Sequence, residues 1–187
     1  MSEGEILRLI CGQLPVSLGC GSRWLAVWDV KLGRGGGRAD LVVVSNEPSI
    51  VIVEAKLHAN AALKDSVVGQ VMLYYVTALT SEPLEILEGL RFAATRHKRN
   101  EKRGLEDLMR SHAVTETDLL DWIASAKGLA LAGNATVRAV IATDAWDESR
   151  DERRLGKIVR FLSERRVRLD VAVVSDGTVT WPMAGRP

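Results

Sequence analysis

Asp40, Glu54 and Lys56 are the residues of this chain whose types and spacing could do chemistry, and Gln70 and Tyr74 follow them. Asp40 precedes the run Leu-Val-Val-Val at 41–44, and Glu54 and Lys56 close the run Ile-Val-Ile-Val-Glu-Ala-Lys at 50–56. Both runs are apolar and rich in β-branched residues, as buried strands are. Ser45-Asn46-Glu47-Pro48-Ser49 between them is turn chemistry. A hairpin symmetric about Glu47 puts position 40 opposite position 54. Asp40 and Glu54 are then a directly opposed cross-strand pair, with Cβ atoms roughly 5 Å apart. Two like charges so placed, at the end of an apolar strand pair where water is scarce, destabilise the sheet. A divalent cation between them, Mg²⁺ or Mn²⁺, removes the conflict, because hard cations take carboxylate oxygens. Strand alternation places Lys56 on the face of Glu54 and turns Ala55 the other way, into the packing.

The segment 63–79 has helical character, with Val67, Val71 and Leu79, and Tyr75 or Leu63, as its buried stripe. Gln70 and Tyr74 are four apart and share a face of that helix. A short connection lets the helix fold back near the Glu-Ala-Lys end of the second strand.

This arrangement resembles the PD-(D/E)XK nuclease superfamily, and within it the RecB-type branch, which carries Gln-x-x-x-Tyr on the helix after the Glu-x-Lys strand. The matching residues are Asp40, Glu54, Lys56, Gln70 and Tyr74. Ala39 stands where the superfamily has the Pro of its name, and that Pro supplies no chemistry. The motifs span positions 38–74, while the order of predicted elements matches the superfamily core along the chain. The resemblance implies an α/β fold of the restriction-endonuclease-like kind, a three-layer arrangement with a central mixed sheet flanked by helices. It implies metal-dependent phosphodiester hydrolysis, with nucleic acid as the partner and DNA expected over RNA. Asp40, Glu54 and the backbone carbonyl of Ala55 would hold Mg²⁺ or Mn²⁺. Lys56 would orient a water or stabilise the transition state, and as a general base it would need a depressed pKa. Gln70 and Tyr74 would hold the metal's water or a phosphate oxygen from behind. Many relatives cut two strands as dimers, so a homodimer is compatible with the resemblance.

The remaining elements must position these residues. Residues 2–13 read as a first helix, with Ser2 and Glu5 forming a capping box and Ile6, Leu7, Leu9 and Ile10 its apolar face. Capping and the helix dipole account for Glu3 and Glu5. Some superfamily members use a glutamate on this helix as a further metal ligand, and Glu5 is the candidate here. Residues 23–32 form the first strand, with Trp24, Ala26, Trp28 and Val30 alternating with Leu25, Val27, Asp29 and Lys31. The glycine-rich stretch 33–38 joins two strands with no helix after it, so it is a hairpin loop and not a phosphate cradle. Arg34 and Arg38 on it could contact backbone phosphates. Residues 84–133 are a helical insertion, with Leu84, Leu87, Leu90, Leu105, Leu108 and Met109 as apolar positions and a Thr115–Asp118 cap inside it. The densest basic run, 96–103, also sits there. Arg96, Lys98, Arg99, Lys102 and Arg103 are either a solvated helix end or a phosphate-contacting patch. His97 and His112 have no partner at ligand spacing and read as surface residues, and His58 reads as incidental. A strand at 137–142, a helix at 148–166 and a strand at 169–174 that turns at Asp176-Gly177 into 178–181 complete the core.

The 187 residues carry a formal net charge of +1, with 47% hydrophobic and 26% charged residues. This is ordinary globular composition, long enough for one domain spanning 1–187, and any basic surface must be local. Cys11 and Cys20 are too few for a disulfide framework or an iron–sulfur cluster and read as reduced thiols. No basic segment precedes the first apolar run and none reaches membrane-spanning length, so a cytoplasmic setting with no membrane partner is expected. Two further readings compete with a nuclease. One is a nuclease-fold module that binds nucleic acid or protein without cutting. The other is an α/β domain in which Asp40, Glu54 and Lys56 are a structural charge cluster.

Overall fold

The β-branched runs at 41–44 and 50–53 lie side by side in the middle of a six-stranded sheet. The computed structural model describes residues 1–17, 21–33, 37–58, 65–96 and 104–182. Helix α1 (Glu3–Ser17) leads into strands β1 (Trp24–Lys31), β2 (Arg38–Ser45) and β3 (Ser49–Ala55). Helices α2 (Asp65–Thr80), α3 (Pro83–Arg96), α4 (Leu105–Ser111) and α5 (Glu116–Leu131) follow, then strand β4 (Val137–Thr143). A π-helical turn (Glu148–Glu152) runs into α6 (Arg153–Ser163), and β5 (Arg168–Ser175) and β6 (Thr178–Thr180) finish the sheet. The strands are ordered β1-β2-β3-β4-β5-β6. The β1–β2, β2–β3 and β5–β6 pairs are antiparallel, and β3–β4 and β4–β5 are parallel. The protein is therefore α/β with a mixed sheet, as expected.

Two apolar layers sandwich this sheet. Ile6, Leu7 and Ile10 of α1 pack on Leu41, Val43, Val51, Val53 and Ala55. Val42, Val44, Ile50 and Ile52 point to the opposite face, where α2 and α5 cover them, with α3 over β1 and α6 over β5. β3 is buried along its whole length because helices lie on both sides of it. Alternation along β3 carries Glu54 to the face of Ile50 and Ile52, beneath α2.

The first strand departs from simple alternation. Val30 packs with Leu25 and Val27, not with Trp24, Ala26 and Trp28. Asp29 is the cause: its φ of 57° lies in the left-handed region, and the ladder passes from Trp28–Leu41 to Val30–Ala39 without pairing Asp29 and Asp40. The same break sets Ala39 and Leu41, two residues apart, on opposite faces. Trp24 and Trp28 are partly buried beside the α1 layer, as core residues.

Other boundaries shift by small amounts. α1 runs to 17 rather than 13, and the helix expected over 148–166 divides into the π-helical turn and α6. Leu87, Leu90, Leu105 and Met109 are buried as the spacing predicted, whereas Leu84 is exposed in the first turn of α3. The Ser2–Glu5 and Thr115–Asp118 capping boxes both form. Among the described residues no helix is long and apolar enough to cross a membrane.

Gly89 fixes how α3 crosses the sheet. A Cβ at Gly89 would run into the Lys31 carbonyl oxygen, so only glycine lets the helix lie this close to the end of β1. Gly69 on α2 is exposed and has open space where its Cβ would be. In thermal melts Gly89→Ala should therefore lose about 1–3 kcal/mol, since the obstacle is backbone. Gly69→Ala should gain about 0.5–1 kcal/mol from reduced unfolded-chain freedom. Equal effects of the two substitutions would contradict this packing.

Candidate active site

Asp40, Glu54, Lys56, Gln70 and Tyr74 gather where β2 breaks and β3 ends beneath α2. The β2–β3 ladder runs from Ser45–Ser49 to Leu41–Val53, a register that places Asp40 across from Glu54 at the next step. There the regular pairing stops, and Asp40 Oδ2 accepts the backbone N–H of Ala55 at 2.8 Å. A side-chain carboxylate replaces a strand carbonyl, which locks Asp40 beside the Glu54–Lys56 peptides. The Ala55 side chain faces the α1 layer.

Glu54 is the most constrained of the group. Its side chain is 2% exposed, and Oε1 pairs with Lys56 Nζ at 2.7 Å. Oε2 is buried and has no hydrogen-bond partner among the described residues. Leaving a buried acceptor unsatisfied costs about 1–3 kcal/mol, and more for a charged one. Thr143 Oγ1, at the end of the neighbouring parallel strand, is likewise buried and without a partner. Glu54 pairs with Ile141 across β3–β4, so Thr143 lies two residues further along on the same face.

Electrostatics follow from this burial. Desolvation raises the pKa of Asp40 despite the Ala55 N–H and the Lys56 charge, which oppose it. Desolvation also raises that of Glu54; the Lys56 hydrogen bond works against the rise, and the Asp40 charge adds to it. For Lys56, burial alone would lower the value, but the hydrogen bond and charge of Glu54 and the charge of Asp40 outweigh it and hold the ammonium above the usual lysine range. A general-base role for Lys56 required a depressed pKa; the geometry instead keeps it a cation. Burial likewise raises the Tyr74 phenol, which stays a neutral donor.

Gln70 and Tyr74 share a face of α2, and Gln70 Nε2 donates to the Tyr74 hydroxyl at 2.5 Å. The hydroxyl in turn donates to the Arg38 carbonyl at 2.7 Å. The ring is buried against Gly37, where a Cβ would come within 2.7 Å of Tyr74 Cε1. In this structure the pair therefore ties the start of β2, two residues before Asp40, to α2. These contacts position the start of β2.

Glu5 is used elsewhere. Its Oε2 accepts the Ser2 N–H at 2.6 Å, and the cap lowers its pKa. Glu3, not Glu5, is the α1 carboxylate whose charge acts on Asp40, Glu54 and Lys56. Arg38 and Arg96 are exposed at the starts of β2 and the end of α3, respectively. Arg34, Lys98, Arg99, Lys102 and Arg103 lie outside the described residues, as do His97 and Cys20. Burial raises the Cys11 thiol to about 11, which keeps it protonated.

His58 proves to be integrated rather than incidental. Its N–H donates to Asp144 Oδ1 at 2.7 Å, and its Nε2 lies 3.0 Å from Asp151 Oδ2. Asp151 is buried and also accepts the Asp147 N–H at 2.9 Å. These bonds tie the residues after Lys56 to the loop after β4 and to the π-helical turn that follows it. The two-residue spacing to Lys56 was visible in sequence, but the aspartate partners lie 86 and 93 positions away.

Among the described residues no group of three or more His, Cys, Asp or Glu side chains comes together as a metal centre. The donors present are the Asp40 carboxylate, the Glu54 carboxylate with its Oε2 unsatisfied, and the Ala55 backbone carbonyl. That set fits Mg²⁺ or Mn²⁺, which keep several waters and need only one or two carboxylates. No family model matches this chain, and no curated protein or solved structure matches it either.

The raised Asp40 pKa has a measurable consequence. The folded state holds this proton more tightly than the unfolded chain, so its stabilisation is full below the ordinary carboxyl range and is lost as pH rises through the raised value. Asp40→Asn keeps an oxygen for the Ala55 N–H but carries no charge. In EDTA its melting temperature relative to wild type should be higher at about pH 8 than at about pH 5. A difference independent of pH would show that the Asp40 carboxylate is not under strain.

Proposed function

We propose that this protein is a Mg²⁺- or Mn²⁺-dependent nuclease of the PD-(D/E)XK kind, with a restriction-endonuclease-like sheet, that hydrolyses phosphodiester bonds of DNA. The observation that carries this reading is the buried Glu54 carboxylate, with Oε2 unpartnered, one register step beyond the last β2–β3 pair and opposite Asp40. Two raised carboxylates in one buried site are expensive as a structural device and useful as a cation site.

Asp40 and Glu54, with the Ala55 carbonyl, would hold the ion, which when bound acidifies a water and offsets charge on the phosphate. Lys56 contributes a fixed positive charge at 2.7 Å from Glu54 Oε1, placed to orient the attacking water or stabilise the anionic oxygens of the transition state. Tyr74 and Gln70 keep Arg38, and through it Asp40, in register with β3. The attacking water gives a proton to solvent as its oxygen bonds to phosphorus, the bond from phosphorus to the leaving sugar oxygen breaks, and a proton from solvent passes to that oxygen, leaving a phosphate monoester and an alcohol.

One observation favours a second reading. The Lys56–Glu54 ion pair is what a purely structural charge cluster would contain. Such a cluster needs no ion, and it leaves Glu54 Oε2 unexplained.

Labelled DNA incubated with Mn²⁺ should be cut by wild type and left intact in EDTA. Glu54→Ala and Asp40→Ala should lose activity by at least about a hundredfold while remaining folded. Lys56→Ala should lose turnover yet still be stabilised by Mn²⁺ in a melt. Full cleavage by the Glu54 and Asp40 variants would refute this mechanism. A melting curve indifferent to Mn²⁺ in wild type would favour the structural cluster.

A further inference from the structure

Phe92 on α3 is 47% exposed, although the adjacent Ala93 and Ala94 are in the core. Two guanidiniums lie over its ring. Arg96 Cζ lies 4.7 Å from the ring centroid and Arg38 Cζ 5.9 Å from it. Arg96 is one turn along the same helix, but Arg38 comes from β2, two residues before Asp40. The aromatic patch and the carboxylate site therefore share a strand.

This convergence is built in. Gly89 lets α3 rest on the Lys31 carbonyl, and Lys31 is the cross-strand partner of Arg38. One helical turn beyond Gly89, the chain reaches Phe92 above Arg38. The Arg38 guanidinium is steadied by Asp29, through Oδ2 at 3.0 Å and the backbone carbonyl at 3.3 Å. Its own carbonyl is held by Tyr74. Arg91, beside Phe92 in sequence, is used differently: its guanidinium is tied to Glu88, Glu106 and Glu116. Arg91 is thus held among three carboxylates, whereas Arg38 pairs with Asp29 alone and still reaches the half-exposed Phe92 ring.

A half-exposed ring flanked by guanidiniums suits unpaired nucleotides. Bases stack on an aromatic ring or on the guanidinium plane lying over it, and the cations meet the phosphates. A duplex interior offers only base edges in its grooves, so it cannot use a ring face in this way. We propose that Phe92, Arg38 and Arg96 form a stacking platform that seats an unpaired nucleotide of single-stranded nucleic acid beside the Asp40–Glu54 site. The placement rests on the nuclease reading for its purpose, since the platform would deliver the strand to those carboxylates.

Binding is measured by fluorescence anisotropy in EDTA, so that cleavage plays no part. The probes are a short oligothymidylate, an oligouridylate of the same length and a blunt mixed-sequence duplex. Wild type should bind a single strand about tenfold tighter than the duplex, and the better of the two single strands identifies the sugar. Phe92→Ala and Phe92→Leu should each weaken single-strand binding about tenfold, while Phe92→Trp should restore it. Arg96→Gln should reduce the salt dependence by about one phosphate contact. Wild-type affinity in the Phe92→Leu variant, which keeps the apolar bulk, overturns the platform, as does equal affinity for duplex. Platform-dependent binding without any cleavage in Mn²⁺ would sink the nuclease reading alone. Normal cleavage with Phe92-independent binding would sink the platform alone.

Discussion

Glu54 sits at the end of β3 with helices on both faces, one oxygen on Lys56 and the other without a hydrogen-bond partner among the described residues. Asp40 stands across from it, itself desolvated and bonded to the Ala55 N–H. Two carboxylates held this way repel each other and lack water to screen them, and the single Lys56 ammonium cannot satisfy both. The rest of the fold can be understood as what keeps this unfavourable arrangement in place. The apolar side chains of β2 and β3 bury the strands on both faces, which holds Glu54 out of solvent and leaves Asp40 half-buried beside it. A cluster of this kind is costly for stability, and perturbed carboxylates of this sort gather at functional sites.

The local backbone is shaped around the same point. Asp29 takes a left-handed conformation, β1 and β2 skip one pair, and Asp40 falls at the gap. Non-glycine residues in that region cost of order 1 kcal/mol, and such strain persists where surrounding contacts over-determine it. Those contacts are present: Arg38 bonds back to Asp29, and Tyr74 grips the Arg38 carbonyl from α2. Gly37 leaves the room that the Tyr74 ring needs. Helix, strand and loop thus converge on three residues, Arg38 to Asp40, and the exposed Phe92 is brought to the same place by the crossing of α3.

Much of this was legible in the sequence because it depends on local rules. The hairpin register followed from the β-branched runs and a symmetric turn, and the observed pairs keep the same centre at Glu47. The helix after it carried Gln70 and Tyr74 on one face, as a four-residue spacing requires. The departures arise where tertiary contacts decide. Val30 changed faces because Asp29 adopts a conformation that alternation cannot anticipate. The choice between Glu3 and Glu5 turned on which way α1 presents its first turn, and the capping box took Glu5. The tasks of Tyr74 and His58 depend on partners 36 and 93 positions distant, which no spacing rule connects. Phe92 gave a weak signal, an aromatic four residues before an arginine, and its importance comes from Arg38 on another element.

Calorimetric titration of the purified protein with Mn²⁺, with Glu54→Gln in parallel, bears most directly on whether the paired carboxylates are a cation site. Binding of Mn²⁺ by wild type, accompanied by proton release because both carboxyl groups have raised pKa values, and its loss in Glu54→Gln, is the predicted result. No binding by wild type, or equal binding by the variant, would contradict it and leave Asp40, Glu54 and Lys56 as a charge cluster that serves the sheet alone.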